Sequence, residues 1–254
     1  MKILITNDDG ILAPGIEALY SAVADLGEVE VVAPETTQSA MGHAITVKTP
    51  LAVRRVHVNN VFWGHAVDGR PADCVKLALL ELLKWRPDFV LSGVNAGANT
   101  AINVLYSGTV AGAVEGAFFG IPAIAFSLEL SAELNFREAG RVARKIFEQF
   151  VAFKPERSVI WNVNIPALDP GPPRGVRVCP QATVQMQDAY RKQKDETGRE
   201  LYWLDGRMPT HHDCPNTDLE AMYERYVAVT PLRFDMTDYE HLAKLSSVRW
   251  PEAF

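Results

Sequence analysis

The chain has 254 residues, 48% of them apolar and 22% charged, with a formal charge of −6. Such a length carries one large α/β domain, or a smaller one with an extension, and the balance of residues excludes a disordered or fibrous chain. A net negative charge without a Lys/Arg stripe argues against a polymeric nucleic-acid partner, although a bound cation would let an acidic site accept small anions.

The first element expected is a buried strand over "KILIT" (2–6), followed by the turn-forming "NDDG" (7–10). "PGIEALYSAVADLG" (14–27) has a proline in its first turn and a glycine past its end, which predicts a helix, and "EVEVVAP" (28–34) alternates as a second strand. A βαβ unit of this kind implies a parallel sheet. The pattern recurs as a helix over 71–85, a strand over 87–94, a helix over 107–120 and a strand over 122–128. A helix over 136–151 and a strand over 158–166 follow. The expectation is therefore an α/β fold, a doubly wound and mostly parallel sheet with helices on both faces.

After Pro166 the texture changes. "GVRVCP" (175–180) and "ERYVAVTPLRFD" (224–235) read as strand-like, "AYRKQKDETGRELYWLDG" (189–206) as a projecting hairpin with its turn near Thr197 and Gly198, and "TDYEHLAKLSSV" (237–248) as a capped terminal helix. Residues 1–166 are thus read as the core. Residues 167–254 are read as an extension of core-completing strands, hairpin and helix, suited to assembly between copies or to a lid. Cys74, Cys179 and Cys214 lie far apart and fit neither a disulfide framework nor a Cys-x-x-Cys site, which points to a reducing cytoplasm. Glu115 and Pro122 interrupt the apolar run "AVEGAFFGIPAIAFSL", so no membrane association is expected.

Ligands of open parallel sheets bind beyond the carboxyl ends of the strands. Asp8 and Asp9 stand at such an end, and two adjacent carboxylates stay ionised most readily around a hard cation such as magnesium, though "DDG" is also ordinary turn chemistry. "LSGVNAGANT" (91–100) ends another strand with Asn95 and Asn99 among glycines, and Ser107, Gly108 and Thr109 open a helix whose N-terminus suits a phosphate. The loop "PETTQSAMGHAIT" (34–46) follows the second strand on the same rim, with Ser39 and His43 as its plausible chemical members and Gly42 between them. "HHDC" (211–214) lacks zinc spacing, and Asp68 or Asp73 in "DGRPADC" reads as a helix cap or, less simply, as support at the pocket edge. No dinucleotide fingerprint, P-loop or Gly-x-Ser-x-Gly elbow is present.

"ITNDDGILAPGI", "SGVNAGANT" with "YSGTVAGAVEGA", and "VTPLRFDMTD" together resemble the SurE survival protein family, nearly end to end and in the same order. The resemblance implies a Rossmann-like core, and a metal-dependent phosphatase acting on nucleoside monophosphates in which Asp8, Asp9, Ser39 and Asn95 ligate one divalent cation, Mg2+ or Mn2+. It implies that Asn99, Ser107, Gly108 and Thr109 lie near the substrate phosphate. It also implies a dimer or tetramer whose subunits exchange the C-terminal arm. Where many members of the family carry glycine, just after the loop serine and again further on, this chain has Ala40 with Met41 and Ala101, which bears on pocket shape. Attack by water, aided by the metal and a carboxylate, is the preferred reading because both aspartates are committed to the metal; attack by Asp8 through an aspartyl phosphate is the alternative. A phosphorylation receiver and a non-catalytic nucleotide-binding protein are the rivals. The receiver needs an acceptor aspartate where Ser92 stands.

Overall fold

A computed structural model of the chain describes residues 1–184, 187–207 and 214–251. β1 (Lys2–Thr6) leads through the turn at Asn7–Gly10 into α1 (Pro14–Val23), and β2 (Glu28–Pro34) runs back parallel to β1. A hairpin of β3 (Val53–Val58) and β4 (Val61–Val67) follows, turned by Asn59 and Asn60, both with positive φ. The chain continues through α2 (Pro71–Leu77), β5 (Phe89–Ala96), α3 (Gly108–Phe118), β6 (Ala123–Leu128), α4 (Phe136–Phe153) and β7 (Ile160–Ile165). The last third supplies β8 (Val176–Val178), a separate hairpin of β9 (Gln187–Lys194) and β10 (Glu200–Arg207), α5 (Asp218–Tyr223), β11 (Val227–Leu232) and α6 (Tyr239–Ser246).

The main sheet has nine strands in the order β3-β4-β2-β1-β5-β6-β7-β11-β8. From β4 to β7 every pairing is parallel, while β3 and β11 run antiparallel to their neighbours β4 and β7. Alternation along β1 builds both cores. Ile3 and Ile5 enter the cluster beneath α1 and α4, and Leu4 enters the opposite cluster with Val75 and Ala113 from α2 and α3. Each of these three side chains is fully buried, contributing about 1.5–3 kcal/mol by removal from water. β5 and β6 are buried on both faces along most of their length, which is why they read as mostly apolar runs rather than as alternation.

Two sequence expectations differ in detail. The β3–β4 hairpin was not anticipated, because only Val56 of β3 is buried and the strand carries Arg54, Arg55 and His57 outward. The helix expected over 71–85 stops being α-helical at Leu77, passes through a wider turn over Ala78–Leu82, and becomes extended at Leu83. β8 and β11, the strands of the extension, pair at the far edge of the main sheet. The hairpin turns at Thr197–Gly198 as expected, and Asp238 caps α6 by accepting from the His241 N–H at 3.0 Å. Among the described residues no helix is long and apolar enough to cross a membrane.

β1 is the point where strand order reverses, with β2 on one side and β5 on the other. Its carboxyl end therefore opens into the crevice where open sheets bind ligands.

Candidate active site

Asn7 shapes the turn that presents the acidic pair: its Oδ1 accepts from the Gly10 N–H at 3.2 Å and its Nδ2 donates to the Gly10 carbonyl at 2.9 Å. Asp8 is thereby aimed at the start of α3, where Thr109 Oγ1 donates to Asp8 Oδ1 at 2.5 Å. Ser107 caps that helix, its Oγ accepting from the Val110 N–H at 3.0 Å. A glycine is required next. A Cβ on Gly108 would stand 2.8 Å from Asp8 Cβ and 3.0 Å from Asp8 Oδ2. Asp9 turns the other way, its Oδ2 accepting from the Ala96 N–H at 3.2 Å and so tying the end of β1 to the end of β5.

Beyond Ser92 the register of β5 against β6 shifts before pairing resumes at Asn95 and Ser127. Asn95 Nδ2 donates to the Gly97 carbonyl at 2.7 Å, leaving the amide oxygen, the atom a hard cation takes. Asn99 is held from four directions. Its N–H donates to Asn164 Oδ1 at 2.7 Å, its Nδ2 donates to Ser127 Oγ at 2.8 Å, and its carbonyl accepts from Asn162 Nδ2 at 2.7 Å and Asn164 Nδ2 at 3.2 Å. Two residues on, the Ala101 N–H donates to the buried Asp218 Oδ2 at 2.9 Å, and Asp218 Oδ1 accepts from the Ala182 N–H at 2.9 Å.

These elements enclose a cavity of about 200 Å³ lined by Asp8, Ser39, Asn95, Asn99, Asn103, Tyr106 and Ser107, among others. Five of the residues singled out from the sequence thus meet in one place. Asp9 lines a neighbouring and larger cavity that shares Ala96 with the first. Gly108 and the buried Thr109 stand behind Asp8 and set its position rather than lining the cavity. Gly42 and His43 lie off the cavity: the Gly42 N–H donates to the Tyr106 carbonyl, and the His43 ring meets Glu115 and Phe118. Asp73 accepts from the Arg70 N–H at the start of α2 and from both the N–H and the hydroxyl of Thr46, so it caps the helix and also pins the loop. Of "HHDC", His211, His212 and Asp213 lie outside the described residues.

Sequence reasoning missed Asn103, Tyr106, Ser127, Asn162, Asn164 and Asp218. Only Asn162 and Asn164 carried a local signal, two amides at i and i+2 on one face of an otherwise apolar strand.

Electrostatics set the chemistry of the cavity. Burial pushes the Asp8 carboxyl up to about 6, the charge of Asp9 adds to the rise, and the Thr109 hydrogen bond opposes it. Burial also raises Asp9, against the Ala96 N–H. Among the described residues no Lys, Arg or His lines the cavity. Two desolvated carboxylates with a serine hydroxyl and an asparagine amide nearby form an all-oxygen donor set lacking a positive partner, which fits a hard divalent cation. Among the described residues no group of three or more His, Cys, Asp or Glu gathers to hold a metal; neutral oxygens would complete this set.

Comparison with known proteins gives the following. The family model described as "Survival protein SurE" matches residues 3–188. The chain is 44% identical over 257 residues to the 5′-nucleotidase SurE of Desulforudis audaxviator, covering 99% of this chain and 98% of that protein. It is 44% identical to the 5′-nucleotidase SurE of Rhodopirellula baltica, covering 96% and 97%. The crystal structure of the SurE protein from Aquifex aeolicus superposes with a TM-score of 0.84 at 37% identity, covering 97% of this chain and 98% of that one.

Proposed function

This chain belongs to the SurE survival protein family of enzymes, and we propose that it hydrolyses nucleoside 5′-monophosphates to nucleoside and phosphate with the aid of one divalent cation, Mg2+ or Mn2+. One observation carries the reading: the cavity sits at the capped N-terminus of a helix, contains an elevated buried aspartate, and has no basic side chain on its wall among the described residues. Among the described residues a phosphate dianion there meets hydroxyls and amides but no cationic side chain, so a cation is needed to balance the acidic pair before an anion can enter.

Asp8, Asp9, Ser39 and Asn95 would hold the cation, which when bound supplies positive charge to a phosphoryl oxygen as it develops charge. Ser107, at the start of α3, together with Asn99, holds the remaining oxygens. Water is the attacking group in this reading, since Asp8 is engaged by Thr109 and packed against Gly108. Asp9 Oδ1, the oxygen left once Oδ2 takes the Ala96 N–H, accepts the proton from that water. Trapping of an aspartyl phosphate on Asp8 in a quenched turnover would reverse this assignment.

The second part of the proposal is assembly of two or four copies through the C-terminal arm. α6 buries none of its residues, and Met236, Tyr239, Leu242, Leu245 and Trp250 are exposed around it. An apolar set of this size in open water marks a protein interface.

The test is phosphate release from 5′- and 3′-monophosphates and short polyphosphate, with Mg2+, Mn2+ or chelator, on the parent chain and on Asp8→Asn and Asn95→Ala. Turnover that needs metal and disappears in Asp8→Asn supports the phosphatase. Nucleotide that binds with metal and is never cleaved points to a binding protein, and a stable stoichiometric phosphoprotein points to a receiver.

A further inference from the structure

We propose that His43 and Glu115, with Lys76, form a clamp that seats the Ser39 loop at the cation site, making His43 a positioning residue for metal affinity. The inference rests on the reading of Asp8, Asp9, Ser39 and Asn95 as the cation's ligands.

Between β2 and β3 the chain runs through residues 35–52 without helix or strand, and this loop brings Ser39 to the cavity. A serine hydroxyl on a long loop ligates well only if the loop is pinned nearby. On one side of Ser39, the Gln38 N–H donates to the Asp8 carbonyl at 2.7 Å. On the other, Ala40 and Gly42 adopt left-handed φ values of 57° and 56°, folding the chain back so that the Gly42 N–H reaches the Tyr106 carbonyl at 2.8 Å. His43 follows directly, its Nε2 lying 2.8 Å from Glu115 Oε2.

Glu115 is the member of this cluster that needs explaining. Its side chain is 1% exposed, on a helix face otherwise packed with small apolar residues. A buried carboxylate is expensive to keep unless it is fully paired. Lys76 Nζ, from α2, lies 2.6 Å from Glu115 Oε1 and already balances the charge. His43 is therefore not needed for neutrality; its Nε2 donates to the second oxygen, and what the contact adds is an anchor for the loop. Burial alone would raise the Glu115 carboxyl, yet the hydrogen bonds from His43 and Lys76 outweigh it and hold the group below its ordinary value. The His43 ring also lies flat on Phe118, centroids 5.0 Å apart at 19°, with the edge of Phe234 against Phe118 at 4.9 Å.

α3 thus acts as a common rail. Its first turn fixes Asp8 through Thr109, and Glu115 and Phe118 near its far end fix the loop that carries Ser39. Two donors from distant parts of the chain are referenced to one rigid helix. Outer-shell partners of this kind typically change metal affinity about 10- to 100-fold.

Calorimetric titration with Mn2+ alone, without substrate, tests the clamp on the parent, His43→Ala, His43→Gln and Asp8→Asn, with thermal midpoints measured in parallel. His43→Ala is expected to weaken Mn2+ about tenfold or more, and His43→Gln, whose amide reaches Glu115, to recover most of the loss. At saturating Mn2+, kcat of His43→Ala returns towards the parent value, because the ring touches no reacting atom. Parent-like Mn2+ affinity in His43→Ala, or equal weakening in the alanine and glutamine variants, overturns the clamp. Should the alanine variant fail to fold, His43→Phe keeps the stack and removes the donor, and the same comparison applies. Mn2+ binding that survives Asp8→Asn overturns the cation-site reading instead.

Discussion

Replacing Gly108 by alanine adds one methyl group at the point where Asp8 rests on α3. The new Cβ would lie 2.8 Å from Asp8 Cβ and 3.0 Å from Asp8 Oδ2. Comfortable carbon–carbon separation is about 3.5–4.0 Å, so the carboxylate must retreat by roughly 1 Å, and a misplacement of about that size costs on the order of 100-fold in rate. Gly112, one turn further along α3, provides the control. A Cβ there would lie 2.8 Å from Thr6 Cγ2 and 2.9 Å from Ser92 Oγ, an equal crowding directed into the sheet instead of at the acidic pair. Each substitution carries an overpacking cost of about 1–3 kcal/mol, partly offset at Gly112 by the roughly 1 kcal/mol helical preference of alanine. Steady-state kinetics at saturating Mn2+, with thermal midpoints alongside, should show kcat/KM of Gly108→Ala down about 100-fold and that of Gly112→Ala close to the parent, at similar losses of stability. If both variants lose activity equally, or if Gly108→Ala keeps it, the assignment of Asp8 to the reacting centre is refuted.

Three further outcomes are expected. In chelator, the native state holds the Asp8 proton up to about 6 against 3.8 as the ordinary value. Stability of the metal-free protein therefore falls as pH rises through that window, by on the order of 3 kcal/mol. Urea denaturation from pH 4 to 8 should show this slope in the parent and a much shallower one, left to Asp9, in Asp8→Asn; equal slopes would contradict it. Asn164→Ala strands the Asn99 N–H, now bonded at 2.7 Å, and should cost about 1–3 kcal/mol together with a raised KM for the nucleotide, read by denaturation and by initial rates. Leu242→Glu combined with Leu245→Glu, on a helix that buries nothing in its own chain, should leave the thermal midpoint of the subunit nearly unchanged while light scattering reports a single-chain mass; an unchanged mass would remove α6 from the interface.

Much of the site was legible because its members are local to strand ends. The doublet Asp8–Asp9 follows an apolar run, Asn95 and Asn99 follow another, and Ser107 precedes a helix, so each is marked by the element beside it. What sequence could not show is what depends on distance along the chain. Glu115 lies 72 positions from His43, and nothing in "VEGAF" announces a loop as its partner. Asp218 carried no local signal, yet its carboxylate reaches back 117 positions to Ala101. The β3–β4 hairpin was hidden for a different reason: an edge strand that buries only Val56 leaves almost no apolar alternation to read.

The bond from Asp218 to the Ala101 N–H has a consequence for dissection of the gene. A fragment ending at Pro166 would contain every donor proposed for the cation, but it would lack β11, which covers the edge of β7, and the carboxylate that anchors the backbone just beyond Asn99. The change of texture after Pro166 is therefore a poor place to cut. Insertions and fusions belong instead at the Thr197–Gly198 tip of the β9–β10 hairpin, where an added methyl on Gly198 would meet nothing within 4 Å.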